Sequence, residues 1–305
     1  MRTAYLETLY DIASKDKNVF AVISDNGAIV YDKYRKEFPN QFINAGIAEA
    51  NMIAMAAGMA SRGKIPFAYT IGAFLAYRAF EFILNDVCLQ NQNVKMVGIG
   101  AGCAYSLLGP SHHSISDIGV LRTIPNLTIL SPASPKEVEK VVRAAYKMIG
   151  PAYIRLGTNQ EPEIYENDYD FEVGKGVTLL DGTDVTLIGT GNILFDALQA
   201  AKELRKDNIS VRVINVHTIK PLDRTIIIKA AKETKAIVSV EEHNIIGGLG
   251  SAVAEVIAEE NLDVKFGRVG IQDEFIKGYG KHDEVKIVNK IGINDICEKI
   301  KNMRR

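Results

Sequence analysis

Tryptophan is absent from the 305 residues, and only three cysteines occur, Cys88, Cys103 and Cys297, none of them in a CxxC pair. Such spacing offers neither a disulfide framework nor a local zinc-binding set, and it suits a reducing compartment. Charge of one sign is missing too: 36 lysines and arginines against 37 acids leave a net −1. A nucleic-acid or membrane-surface partner favours a basic excess, so neither is expected. The apolar run 52–60 falls far short of the roughly 20 residues that span a bilayer. Glu7 comes too early for a secretory signal, and the expected setting is the cytoplasm. Nucleotide signatures also fail. No Walker A sequence occurs, and Gly98-Ile99-Gly100-Ala101-Gly102-Cys103 puts Cys103 where the dinucleotide fingerprint needs its last glycine. Gly189-Thr190-Gly191 has Leu194 at that place, and Gly247-Gly248-Leu249-Gly250 misses the spacing. Tight strand-to-helix turns account for these glycines.

What the chain does have is a regular alternation. Apolar, β-branched runs at 19–24, 41–44, 64–70, 94–99, 127–130 and 152–156 read as strands. Helical patterns at 46–61, 73–90, 118–123 and 135–148 lie between them, the last opened by Pro135. From 160 to 173 the periodicity stops and acids crowd in (Glu161, Glu163, Glu166, Asp168, Asp170, Glu172), which reads as a linker. A second series follows, with strands at 185–188, 211–215, 236–241 and 264–269. Its helices are expected at 194–206, 222–234, 249–259 and in a tail after about 283. The expected fold class is α/β, with two doubly wound domains at 1–160 and 174–305 joined by the linker 161–173.

Three stretches carry candidate chemistry. In 44–60, rich in alanine, methionine and glycine, Glu49 is the only ionisable side chain. On a helix it shares a face with Met52, Ile53 and Ala56. Two readings stay open: a first-turn acid favouring the helix dipole, or a buried acid, since a carboxylate among apolar groups can hold a proton near neutrality. Next, Phe74, Tyr77 and Phe80 recur along one helix face, as core or as a stacking wall for a flat heteroaromatic ring. Last comes Leu108-Gly109-Pro110-Ser111-His112-His113, whose Gly-Pro turn presents two histidines at the carboxyl end of a strand, where α/β sheets bind ligands. No GxSxG elbow surrounds Ser111, so a hydrolase triad with His112 and Asp117 is not expected, and the local set is too small for a metal. Ordinary loop histidines and a pair acting on substrate oxygens or protons both remain.

Taken in order, these three stretches resemble the transketolase family of thiamine-diphosphate enzymes. The likeness is nearest to the family's C-terminal half, which in split enzymes is a separate small subunit. It is carried further by Ile124-Pro125-Asn126-Leu127 and Pro151-Ala152-Tyr153-Ile154-Arg155-Leu156. In the second half, Asp184-Val185-Thr186-Leu187-Ile188-Gly189-Thr190-Gly191 and Glu241-Glu242-His243-Asn244-Ile245-Ile246-Gly247-Gly248-Leu249-Gly250 extend it. It spans nearly the whole chain and implies a pyrimidine-binding domain followed by a transketolase C-terminal-type domain. Glu49 then matches the glutamate that hydrogen-bonds the cofactor's aminopyrimidine ring and promotes its imino tautomer. Phe74, Tyr77 and Phe80 match the aromatic pocket around that ring, and Asp25 an aspartate near the cofactor. His112, with His113 beside it, matches a histidine acting on substrate hydroxyls, and Arg155 an arginine that contacts a sugar phosphate.

Departures from the pattern shape the expected function. No Gly-Asp-Gly occurs, so no ligand of the cofactor's Mg2+ or Ca2+ is expected here. The diphosphate and metal ligands are expected on a separate large subunit, in an α2β2 assembly without which this chain is inactive. Leu108 stands where single-chain transketolases carry an acid, and Gly100 where they carry a histidine. The expected activity is transfer of a two-carbon ketol unit between a ketose and an aldose, with a modified, branched or deoxy sugar among the candidate substrates. The rivals are a 2-oxoacid dehydrogenase β subunit, a deoxyxylulose-phosphate-synthase-like enzyme, and a non-catalytic scaffold subunit.

Overall fold

A computed structural model describes residues 1–158 and 161–304; the boundary expected at 160 lies outside the described residues. The first half runs α1 (Arg2–Lys15), β1 (Val19–Ile23), α2 (Asp32–Glu37), β2 (Phe42–Asn44), α3 (Glu49–Ala60), β3 (Ile65–Ile71), α4 (Gly72–Arg78) and α5 (Phe80–Phe82). It continues through β4 (Lys95–Ile99), α6 (Asp117–Leu121), β5 (Thr128–Leu130), α7 (Pro135–Lys147) and β6 (Ala152–Leu156). The second half holds β7 (Val177–Leu180), β8 (Val185–Gly189), α8 (Leu194–Lys206), β9 (Val211–Asn215), β10 (Thr218–Lys220) and α9 (Arg224–Glu233). It ends with β11 (Ala236–Asn244), α10 (Leu249–Glu259), β12 (Lys265–Ile271), α11 (His282–Val288) and α12 (Ile293–Arg304).

Two sheets result, ordered β10-β5-β6-β4-β3-β1-β2 and β12-β11-β8-β9-β7. Their inner strands pair in parallel, as alternating strands and helices require. Such strands are covered on both faces, which is why β4, β6 and β8 are buried along their full length. The edges differ: β10 runs antiparallel to β5, and β7 antiparallel to β9. Because β10 follows β9 in the chain, the second half completes the first sheet. One apolar core accordingly joins Met52, Leu75 and Val87 to Ile188, Ile214 and Ile237. Among the described residues, no helix is long and apolar enough to cross a membrane.

Elsewhere the chain departs from the expected pattern. The helix expected over 73–90 breaks at Ala79, and its end widens into a π-helical turn, Ile83–Cys88. The acidic segment 161–173 has no regular structure but is fastened down. Tyr165 and Tyr169 stack at 4.3 Å and both donate to the buried Glu137 carboxylate.

Lys95 opens β4 with its side chain wholly buried and its ammonium donating to the carbonyls of Met148 (2.8 Å) and Gly150 (2.7 Å). Burial pulls its pKa down to about 7, whereas the unfolded lysine keeps a value near 10.4. Between those values the unfolded chain binds more protons, so this residue adds stability as pH rises through the window and removes it as pH falls. Urea midpoints at pH 7 and pH 9 check this. The wild-type protein should gain relative to Lys95→Met over that interval, and an equal response from both would refute it.

Candidate active site

Strand order places several candidates at the carboxyl ends of the first sheet. Asp25, exposed in the left-handed region at φ 59°, follows β1 and exchanges hydrogen bonds with Asn44 at the end of β2 (Asp25 N–H to Asn44 Oδ1 at 3.0 Å; Asn44 Nδ2 to Asp25 Oδ1 at 2.9 Å). Three residues past the turn at Gly46, Glu49 opens α3 and is 4% exposed. Its Oε2 accepts from Arg78 Nη1 at 3.2 Å. Arg78 ends α4, half exposed, with its guanidinium carbon 3.9 Å from the centroid of the Phe74 ring. The opposite side of the cluster is His112, whose ring meets Phe74 edge-on at 5.0 Å and whose Nδ1 lies 2.9 Å from Ser111 Oγ. Burial, then the Arg78 charge, hold the His112 imidazole below its usual pKa, so it is neutral and able to accept a proton near pH 7. An acid, a planar cation, an aromatic face and a neutral imidazole thus form one continuous constellation.

The aromatic stripe does not form a single wall. Phe74 packs beside the core on one side of the first sheet, and Phe80, beyond the break at Ala79, packs against the core on the other. Tyr77 turns to a cleft of about 370 Å³ that Pro110, His113, Ile115, Ser116 and Phe275 also line. Its hydroxyl accepts from the Ser116 N–H at 3.0 Å, and burial pushes its phenol up to about 12. His113 forms part of that cleft while only 3% exposed. The single helix face expected at 74, 77 and 80 fails at Phe80, because Ala79 leaves the helix.

Arg155 is also elsewhere. It is 2% exposed on β6, and its Nε donates to Asp117 Oδ2 at 2.8 Å. Its Nη2 donates to the carbonyls of Ser114 (2.8 Å) and Glu242 (3.1 Å). Tyr153 adds its hydroxyl to the same Asp117 oxygen at 2.7 Å. Burial alone would raise the Asp117 carboxyl, but the Arg155 guanidinium holds it below the usual range. A guanidinium so enclosed does not fit the sugar-phosphate contact that the resemblance implies.

The pattern reading missed Arg78, although its spacing after Phe74 puts it one turn along the same helix. Tyr105 was missed as well. Gly100, at φ +84°, leaves room for the Tyr105 ring, which a Cβ at position 100 would approach to 2.2 Å. Tyr105 in turn meets His112 edge-on at 6.3 Å. Leu108, half exposed, stands beside the Gly-Pro turn. In the second half, Glu241 accepts from the N–H groups of Leu249 (2.6 Å) and Gly250 (2.8 Å) at the start of α10, and burial pushes its carboxyl up to about 7. Burial also drops His243 to about 4, where its Nε2 accepts from the Gly119 N–H at 3.2 Å. His243 thus ties the second half to the first, while Glu241 anchors the start of α10 within the second half.

Two doubly wound sheets with a buried acid and an aromatic at the carboxyl edge define an α/β enzyme scaffold with its ligand site in the first sheet. The chain belongs to the transketolase family: residues 1–162 match its pyrimidine binding domain and residues 174–290 its C-terminal domain. Family membership implies dependence on thiamine diphosphate. A putative transketolase C-terminal section from Methanocaldococcus jannaschii is 42% identical, over 93% of this chain and 90% of that protein. One of the subunits of the apulose-4-phosphate transketolase of Phocaeicola vulgatus is 39% identical, over 92% of this chain and 90% of its own. Among solved structures, a split-gene transketolase described as an inactive beta4 tetramer superposes with a TM-score of 0.89 at 36% identity, covering 99% of this chain and 97% of that one.

Proposed function

We propose that this chain is the small subunit of a two-chain transketolase, transferring a two-carbon ketol unit from a ketose to an aldose within an α2β2 complex in the cytoplasm. The observation that carries the reading is the buried Glu49 carboxylate, joined through the half-exposed Arg78 guanidinium to the face of Phe74. A buried acid linked through a planar guanidinium to an aromatic face fits a flat, nitrogen-bearing ring. Residues 1–160 then serve as the pyrimidine-binding domain and 174–305 as the C-terminal domain. When bound, thiamine diphosphate supplies the carbanion-stabilising centre for carbon–carbon cleavage.

This chain's own residues do the positioning. Glu49 would hold a hydrogen bond to the pyrimidine ring and Phe74 would stack on it, with Tyr77 and Asp25 supporting the surrounding pocket and domain edge. His112, neutral and partly exposed beside Ser111, exchanges protons with substrate hydroxyls, with His113 behind it. The diphosphate and its Mg2+ or Ca2+ are held by the large subunit. The apulose-4-phosphate transketolase relative, one part of a divided enzyme, supports the two-chain reading. Tyr105 filling the space over Gly100, together with Leu108, supports a sugar outside the ordinary pentose phosphates.

The test mixes this chain with a large subunit carrying Gly-Asp-Gly, thiamine diphosphate and Mg2+. Ketose-dependent extension of an aldose by two carbons, in a species of two copies of each chain by light scattering, is the expected result. Pyruvate turnover with release of carbon dioxide, or an active monomer of this chain alone, would overturn it.

A further inference from the structure

Cys103, Glu242 and His282 come from three distant segments: the loop after β4, the end of β11 and the first residue of α11. Their ligand atoms all lie within 4.8 Å of one another at the seam between the halves. The Cys103 thiol stands 2.8 Å from Glu242 Oε1, and the Cys103 N–H donates to the same oxygen at 3.2 Å. His282 Nε2 pairs with it from the other side. The surroundings are shaped for this meeting. Gly102, at φ +63°, lets Glu242 come close, since a Cβ there would stand 2.5 Å from Glu242 Cγ. The register of β11 shifts between Val240 and Asn244, an irregularity that re-aims side chains. Glu241 and Glu242 are neighbours in a strand, yet both are buried.

Two features exceed a closed hydrogen-bonded cluster. Glu242 Oε2 is buried with no hydrogen-bond partner, and so are both ring nitrogens of His113, which is 3% exposed and within electrostatic reach of Glu242. Buried polar atoms left in this state are rare in folded proteins and call for a ligand. The donor set is also chemically mixed, with one thiol, one carboxylate and imidazole. Spacing along the chain hides it, because the three residues are separated by 139 and 40 positions.

We propose that Cys103, Glu242 and His282 bind a divalent transition metal of the zinc class. Thiolate and imidazole select this class over Mg2+ and Ca2+, which take oxygen donors. The site is therefore distinct from the diphosphate metal assigned to the large subunit. On binding, a metal–sulfur bond forms and the thiol proton leaves to solvent, with no change in oxidation state. Charge agrees: Lys286 is already offset by Asp196 (2.6 Å) and Asp283 (2.8 Å), which leaves Glu242 and the thiolate to balance a dication. The partly exposed His282 gives the ion a path from solvent. With ligands from both halves, the ion would fasten the loop bearing Cys103 and His112 to the second half.

Cobalt(II) titration of chelator-treated full-length protein tests the proposal without any activity assay. One equivalent should bind, with a thiolate-to-cobalt band in the near ultraviolet and visible bands of a tetrahedral ion. Cys103→Ser should abolish the ultraviolet band, and His282→Ala should weaken uptake at least about tenfold. Zinc should raise the melting temperature of the wild-type protein and not that of His282→Ala. Should Cys103→Ser fail to fold, the His282→Ala comparison decides alone. Absence of stoichiometric uptake, or uptake unchanged in His282→Ala, would overturn the assignment. So would a thiolate band that survives Cys103→Ser.

Discussion

Glu49→Gln should cut turnover of the reconstituted two-chain enzyme by about 10²–10⁴-fold, the usual contribution of a positioned proton-handling group. The substitution keeps the size of the side chain and its carbonyl oxygen, which can still accept from Arg78 Nη1. What it removes is the ionisable oxygen, so the group can neither carry a full negative charge nor share a proton with a ring nitrogen. Folding should be unaffected, because α3 buries Met52, Ile53 and Ala56 with or without the charge. The check is steady-state turnover together with circular dichroism and assembly with the large chain. Loss of turnover in an intact assembly supports cofactor activation by Glu49. Unchanged turnover would leave only the scaffold-subunit reading, and a failure to assemble would place Glu49 in the subunit contact instead.

Much of this architecture was legible in one dimension, and the exceptions have physical causes. Helices at 194–206 and 249–259 and strands at 152–156 and 211–215 fall where periodicity places them, since local pattern and tertiary burial agree there. Helix α1 escaped notice although Tyr5, Thr8, Leu9 and Ile12 recur at helical spacing, because a polar threonine interrupts the apolar stripe. β10 could not be found locally: three residues long, it exists because β5, far away in sequence, offers it an edge. Ala79 is a good helix former, and nothing beside it announces the break that sends Phe80 to a different core. The site divides along the same line. Glu49 and His112 lie on elements whose faces the sequence marks, whereas the Cys103–Glu242–His282 meeting depends wholly on how the two halves dock.

Arg155→Ala should destabilise the protein by about 3–5 kcal/mol, the cost of leaving a buried carboxylate without its counter-charge. The pair it breaks is almost fully enclosed, Arg155 at 2% and Asp117 at 0% exposure. At a few degrees per kcal/mol for a chain of this size, the melting temperature should fall by roughly 10 °C. Arg155→Lys should not rescue it, because a single ammonium cannot serve Asp117, the Ser114 carbonyl and the Glu242 carbonyl with a planar fork. Arg155→Met combined with Asp117→Asn should recover part of the loss, since the amide oxygen still accepts from the Tyr153 hydroxyl and no charge is stranded. The same variants separate two roles for the arginine. A strut between the halves predicts a lower melting temperature with the KM for a sugar phosphate unchanged below the transition. A phosphate contact predicts the reverse: an intact melting temperature and a KM raised tenfold or more. The enclosure of the guanidinium, with one donor set on Asp117 and the other spanning to Glu242 on β11, favours the strut.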